Sequence, residues 1–453
     1  MSGLYDEMSA SKGMREIFSD RAQIQAMLDF EAALARAEAD AGVIPADAAT
    51  PIAAQCRAKR FDLERLAQDA ALTGNIAVPL IAALADHVSR NDSAASRFVH
   101  FGATSQDAVD TGLILQLQKA LDLFDAELAR LCDTIAELVK RHRRTVLLGR
   151  LWLQPTVPVT FGFKAAGWLS ALVRDRERLR ALRTRTLVVQ FGGAGGTLAP
   201  LGKQGLDVAT RLAQVLKLGL PDVPWHAARD RIAEVGAAIG LVAGTLGKLA
   251  RDISLMTQAE VAEASEQLAP GRGAPSTALH KRTPVGTGAI LAVAARVPGL
   301  VGTLFSAMPQ EHERGLGGWQ AEWVSLPEIC LLTSGALARA IEVVGSLEVD
   351  ATRMRANIDA TGGVVLGEMV ALALARHLGS PYAYALVERA CRQAVDTGTS
   401  LREVLETERE VTNQFTVAEL NDLCDPDEHL GVAETFGERA LAEHARFVAE
   451  TRH

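Results

Sequence analysis

Ile114, Leu117, Leu121, Phe124, Leu128, Leu131, Ile135 and Leu138 follow one another at alternating spacings of three and four residues. An unbroken heptad stripe of this length predicts a helix over 114–138 that packs along its whole length against other long helices. A second long helix is predicted over 231–267. Its face carries Gly236, Ala237, Gly240, Ala243, Gly244 and Gly247, small residues that let a neighbouring helix approach closely. Glycine costs about 1 kcal/mol in a helix interior, so tertiary or intersubunit packing must hold this helix together. Further helical stretches are predicted over 284–308 and 326–347. No stretch shows the two-residue alternation of a sheet, and no repeat of 20–50 residues is present. Glycine- and proline-bearing segments at 100–111, 149–158, 192–200, 271–284 and 359–364 punctuate the helices. The expected fold is therefore all-α in three helical domains. These are an N-terminal domain over 1–110, a central bundle of very long helices over 111–355, and a C-terminal domain over 356–453.

Composition agrees with this reading: alanine and leucine dominate the 453 residues, and aromatics make up only 5%. A formal charge of −8 argues against nucleic acid or an acidic membrane surface as partner. An anionic ligand must then be held by a local cationic cluster. Cys56, Cys132, Cys330, Cys391 and Cys424 are scattered, odd in number and without CxxC spacing, as expected of reduced thiols in a cytoplasmic protein. The N-terminal stretch lacks the apolar core of a signal peptide, and the weakly polar run 235–247 is too short to span a bilayer. No metal or organic cofactor is expected, because no ligand cluster or phosphate-binding loop is found; GGAGG at 192–196 lacks a flanking βαβ pattern.

Three segments carry candidate chemistry. In GRGAPSTALHKRTP, Gly271–Pro284, a hydroxyl-bearing loop runs into His280, Lys281 and Arg282. Such a segment suits a site that closes over a multiply charged anion, and equally a solvated surface loop. In VHFGATSQDAVDT, Val99–Thr111, the hydroxyls of Thr104 and Ser105 with the Gln106 amide present neutral donors to a carboxylate; capping of the helix that follows would look similar. In GRLWLQPTVPVT, Gly149–Thr160, Trp152 and Gln154 stand out.

Together these segments resemble the fumarase/aspartase superfamily. The first matches its signature loop GSSxMPxKxNP, the second its HxGxTSxD region, and the third its GRTHxQ region. Trp152 stands where most members carry a histidine, a variant associated with the 3-carboxy-cis,cis-muconate cycloisomerase branch. MREIFSDR, LDFEAALARAEA, QFGGAGGTLA, PWHAARDR, PQEHERGLGGWQAEW and NIDATGGVVLGE extend the resemblance from end to end.

The resemblance implies a lyase-type enzyme that lactonises 3-carboxy-cis,cis-muconate, within the β-ketoadipate route of protocatechuate degradation. Lys281 would stabilise an aci-carboxylate intermediate, with Arg282 in support. Ser276 would carry the proton, and Trp152 would shape the pocket. His100, Thr104, Ser105, Gln106, Gln154, His280 and Arg314 would contact a small polycarboxylate. For Arg314 the plainer role is an ion pair with Glu311 or Glu313. The resemblance also implies a homotetramer whose central helices form one bundle, each active site drawing on three subunits.

The chain departs from the pattern at Pro275, where the first of two serines normally transfers the proton, and at Thr283, where an asparagine normally binds a carboxylate. Proton transfer by Ser276, proton transfer by another group or water, and a divergent paralogue with a different or much reduced activity all remain open on these residues. So do a β-eliminating lyase of the adenylosuccinate or argininosuccinate type, a 3-sulfomuconate cycloisomerase, and a non-catalytic helical paralogue.

Overall fold

The computed structural model describes residues 10–267 and 283–451. Helices dominate, as the periodicity predicted. They include α1 (Asp20–Asp40), α2 (Ala77–Ser89), α3 (Ser105–Arg141), α4 (Phe161–Thr186), α5 (Asp230–Met256), α6 (Val285–Ala307), α7 (Gly318–Gly345), α8 (Ala351–Asp359), α9 (Gly367–Leu378), α10 (Ser380–Thr397) and α11 (Ala433–Thr451). All eight apolar positions of the heptad stripe on α3 are buried. The small face of α5 does what its composition suggested. A Cβ on Gly240 would come within 2.8 Å of Val301, and one on Gly247 within 2.6 Å of Ala294, so α6 lies almost against the α5 backbone. That helix ends at Met256 rather than near 267, because the chain turns through Ala262 at φ 51 and enters a strand.

Two small sheets depart from the all-helical expectation. Strand β1 (Val146–Leu151) pairs antiparallel with β2 (Gln154–Thr160), and β3 (Ala264–Glu266) pairs antiparallel with β4 (Leu347–Val349). Pairs this short, one of them interrupted at Gly149 by a register shift, carry too little alternation to register in a periodicity reading.

By contacts the chain divides into two compact units. One comprises the residues through Leu128 with 175–247 and 289–338; the other comprises 129–174, 248–288 and the residues from Arg339 on. This partition by contact differs in kind from the sequential layout 1–110, 111–355 and 356–453. In the first unit, α1 is started by the Ser19 side chain accepting from the Ala22 N–H, and it buries Met27, Leu28, Phe30 and Leu34 in a core shared with Ile52, Leu80, Leu84 and Leu212. In the second, α9 and α10 pack through Val370, Leu374, Leu386 and Val387. By length and apolar character alone α5, α6 and α7 would suffice to cross a bilayer. The apolar windows of α5 and α7 are 61% and 67% buried within the chain, whereas that of α6 is only 22% buried.

Glu38 is a polar intrusion into the first core. Its side chain is fully buried and neither carboxyl oxygen has a hydrogen-bond partner. Burial, reinforced by Glu31, pushes its pKa up to about 9. The folded chain therefore keeps a proton that the unfolded chain releases, and stability falls as pH rises between the ordinary carboxylate range and about 9. The slope from this one group is about 1.4 kcal/mol per pH unit. Urea unfolding at pH 6 and pH 8.5 should show a smaller loss of stability for Glu38→Gln than for the parent. Equal losses would mean that Glu38 does not hold its proton.

Candidate active site

The N-terminus of α3 is the centre of a hydrogen-bonded cluster in the first unit. Asp107 anchors it. One oxygen accepts from the backbone N–H groups of Thr104 (3.0 Å) and Gly193 (3.0 Å); the other accepts from Gly192 N–H (3.1 Å) and lies 2.6 Å from His226 Nε2. A single buried carboxylate thus ties the Thr104–Ser105 turn to the glycine-rich loop 192–196. That loop must be glycine where it meets the turn: Gly193 has φ 68, and a Cβ on it would lie 2.6 Å from the Gly102 carbonyl oxygen.

Arg314 clamps the same loop from the other side. Its guanidinium donates to Gln106 Oε1 (2.9 Å), Gly193 O (2.6 Å) and Ala194 O (3.0 Å). All three acceptors are neutral, and the expected alternative, an ion pair with Glu311 or Glu313, does not form. Burial lowers the Arg314 pKa, against the pull of Asp107 and Asp110. Gln106 in turn donates to Asp110 (3.1 Å) and to the His226 carbonyl (2.9 Å).

Beneath this layer lies a fully buried charge network. Arg229 donates to both oxygens of Asp110 (2.8 and 3.1 Å) and to Glu322 (2.5 Å), and Trp319 Nε1 donates to Asp110 (2.9 Å). Desolvation lowers the Arg229 pKa, but the two carboxylates outweigh it and the result is a rise. Desolvation raises that of Glu322, Arg229 opposing. His100, at φ 58, places Nδ1 2.6 Å from Glu31 Oε1. Burial pulls the imidazole pKa down, yet the charge and hydrogen bond of Glu31, with Asp107, leave it raised.

The second unit carries the Trp152 segment. Trp152 (φ 53) and Leu153 (φ 66) form the two-residue tip between β1 and β2, and Trp152 is 97% exposed. Two left-handed residues in a two-residue hairpin loop normally call for asparagine and glycine. Here both positions carry bulky apolar residues, and both are exposed. The hairpin is fixed at its base by Arg150, which donates to both oxygens of the buried Glu263 (2.9 and 2.7 Å), and Asn357 donates to the same carboxylate (2.8 Å). A cavity of about 610 Å³ in this unit is lined by Glu266, Glu348 and Asp350 together with Thr257, Thr283 and Pro284.

Residues 7–299 match the lyase family, and residues 363–440 match the adenylosuccinate lyase C-terminus family. The 3-carboxy-cis,cis-muconate cycloisomerase of Pseudomonas aeruginosa is 54% identical over 441 residues, covering 97% of this chain and 96% of that protein. The crystal structure of the 3-carboxy-cis,cis-muconate lactonizing enzyme from Pseudomonas putida superposes with a TM-score of 0.94 at 51% identity, covering 99% of this chain and 100% of that one. The chain belongs to the fumarase/aspartase superfamily, in its 3-carboxy-cis,cis-muconate cycloisomerase branch. A nitrosuccinate lyase of Streptomyces davaonensis is also similar, 41% identical over 455 residues that cover 99% of this chain and 96% of that protein.

Within this cycloisomerase-branch fold, the predicted Thr104, Ser105, Gln106 and Arg314 come together in one unit, and His100 pairs with Glu31 in that same unit. Trp152 and the exposed Gln154 belong to the other unit. Ser276, His280, Lys281 and Arg282 lie outside the described residues, as does Pro275. Asp107, Asp110, His226, Arg229 and Glu322 were not assigned site roles from sequence. PWHAARDR and GGWQAEW contain His226, Arg229 and Glu322, but buried hydrogen bonding leaves no signature in one sequence.

Proposed function

We propose that this chain is a 3-carboxy-cis,cis-muconate cycloisomerase. The observation that carries the reading is end-to-end similarity to cycloisomerases of this name at 44–54% identity, joined to a site in which Arg314 donates only to neutral acceptors, Gln106 beside the Thr104–Ser105 turn and the backbone of the glycine-rich loop. One substrate carboxylate adds across the double bond conjugated to a second. The new C–O bond forms as the π electrons move onto that second carboxylate, giving an aci-carboxylate dianion. Protonation at carbon completes the lactone. The attacking carboxylate becomes an ester, so each turnover consumes one proton from solution.

In this scheme Arg314, Thr104 and Ser105 bind carboxylate oxygens, with Gln106 holding Arg314 in place. His100, Gln154 and His280 supply further contacts, and Trp152 shapes the pocket. Lys281, supported by Arg282, stabilises the aci-carboxylate, the largest electrostatic demand of the reaction. Ser276 transfers the proton. Holding the diene folded lowers the barrier by proximity.

The outward face of α6, where Gly288, Ala292, Ala295, Gly299, Gly302 and Ser306 form an exposed heptad stripe of small residues, supports self-association, which this reading takes to be a homotetramer. A second copy packed there would bury what the single chain leaves open, and would bring separate segments into one active site. The scattered cysteines without CxxC spacing accord with a cytoplasmic location in aromatic-acid catabolism.

The test is loss of diene absorbance on mixing with 3-carboxy-cis,cis-muconate, with proton uptake followed by an indicator, against fumarate, argininosuccinate, adenylosuccinate and nitrosuccinate. Turnover of the muconate with one proton consumed per molecule is expected. Turnover confined to a succinate derivative would replace this reading with an eliminating lyase, which the nitrosuccinate lyase relative keeps as the second reading.

A further inference from the structure

We propose that Asn75 is a positioning residue that aims the Ser105 hydroxyl proton at a substrate carboxylate. The inference rests on the reading of Ser105 as a carboxylate-binding residue.

Asn75 follows Gly74, the left-handed residue (φ 71) that ends the helix Leu63–Thr73, and precedes α2. Its side chain bridges two elements. Oδ1 accepts from the Ala77 N–H at 2.9 Å, and Nδ2 donates to Ser105 Oγ at 2.8 Å. The orientation of the amide is not free. A backbone N–H can only donate, so the atom facing Ala77 must be the oxygen, and the atom facing Ser105 must then be the nitrogen.

The consequence falls on the hydroxyl. Ser105 Oγ receives a hydrogen bond from the amide, so its own proton must point elsewhere. Among the described residues no acceptor takes it. Ser105 is the first residue of α3, half-buried, where the helix dipole and unpaired backbone N–H groups favour an anion. Thr104 stands beside it with its N–H already given to Asp107 and its hydroxyl unused among the described residues. A serine hydroxyl can either accept or donate toward a ligand; a fixed amide donor behind it fills one of its two acceptor positions and excludes its proton from that side, which favours donation toward the ligand. For a substrate made of carboxylates, that is the required polarity.

Asn75 also accepts from the N–H of Ala77, the first residue of α2, and a purely structural role must be separated from a positioning one. Asn75→Asp does so. One carboxylate oxygen still accepts from Ala77, but the other can only accept from Ser105, which turns the hydroxyl proton away from the ligand. The experiment measures KM, kcat and thermal unfolding for Asn75→Asp, Ser105→Ala and the double variant, with 3-carboxy-cis,cis-muconate as substrate. Each single change is expected to raise KM about tenfold, the scale of one hydrogen bond to a charged group. Thermal unfolding of Asn75→Asp should match the parent, and the double variant should be no worse than Ser105→Ala alone.

Additive effects in the double variant would mean that the aspartate acts by simple charge repulsion, and would overturn the proposal. So would a KM change that tracks a fall in melting temperature. If Ser105→Ala raises KM and Asn75→Asp does not, the site reading stands and the positioning role falls. If Ser105→Ala leaves KM unchanged, both fall.

Discussion

Arg229→Leu is expected to cost about 3–5 kcal/mol of folding stability, the range for leaving buried charges without their partner. Arg229, Asp110 and Glu322 are all within 2% of complete burial. Leucine would leave Asp110 and Glu322 with no counter-ion, and each would have to take up a proton or admit water. The damage would not stay in the core. Asp110 also holds Gln106 and Trp319, and Gln106 holds Arg314. Protein that remains folded should therefore bind substrate more weakly. Urea unfolding measures the first effect, and KM measures the second. A triple change, Arg229→Leu with Asp110→Asn and Glu322→Gln, should recover much of the stability because no charge is left unpaired. A loss below about 1 kcal/mol in the single variant would be in the range of a solvent-exposed pair and would refute the network's role.

Lys281→Ala is expected to lower kcat by roughly 10²–10³-fold, the effect of removing one preorganised group that stabilises developing negative charge. KM should change far less, since the charge on the aci-carboxylate develops only as the new bond forms. Arg282→Ala, a supporting charge in the proposed scheme, should show a smaller loss. Unfolding curves and the oligomeric state should be those of the parent. Turnover equal to the parent would remove Lys281 from the chemistry and return the electrostatic burden to Arg314, whose cation already faces neutral acceptors.

The long helices were legible because their signal is local. Ile114 to Leu138 repeat at the period of a helix seam, and each of the eight is buried. The glycines of α5 likewise announced a close neighbour, and α6 is that neighbour. Thr104, Ser105, Gln106 and Arg314 stand in contiguous motifs; what they touch does not. Asp107 reaches His226 across 119 positions, Arg229 reaches Glu322 across 93, and Asn75 reaches Ser105 across 30. A heptad is enforced at every turn by burial of its own stripe. A hydrogen bond between distant residues is imposed only once folding brings its two ends together, and nothing in the spacing of either end encodes the other. The hairpin tip at Trp152 shows the same division: the sequence marks an unusual tryptophan, and the backbone alone reveals that it sits at positive φ in solvent. Sequence by itself thus determined helix, seam and family resemblance. Tertiary structure decided which carboxylate anchors the Thr104–Ser105 turn, which cation is held by neutral acceptors, and which acid is buried without a hydrogen-bond partner.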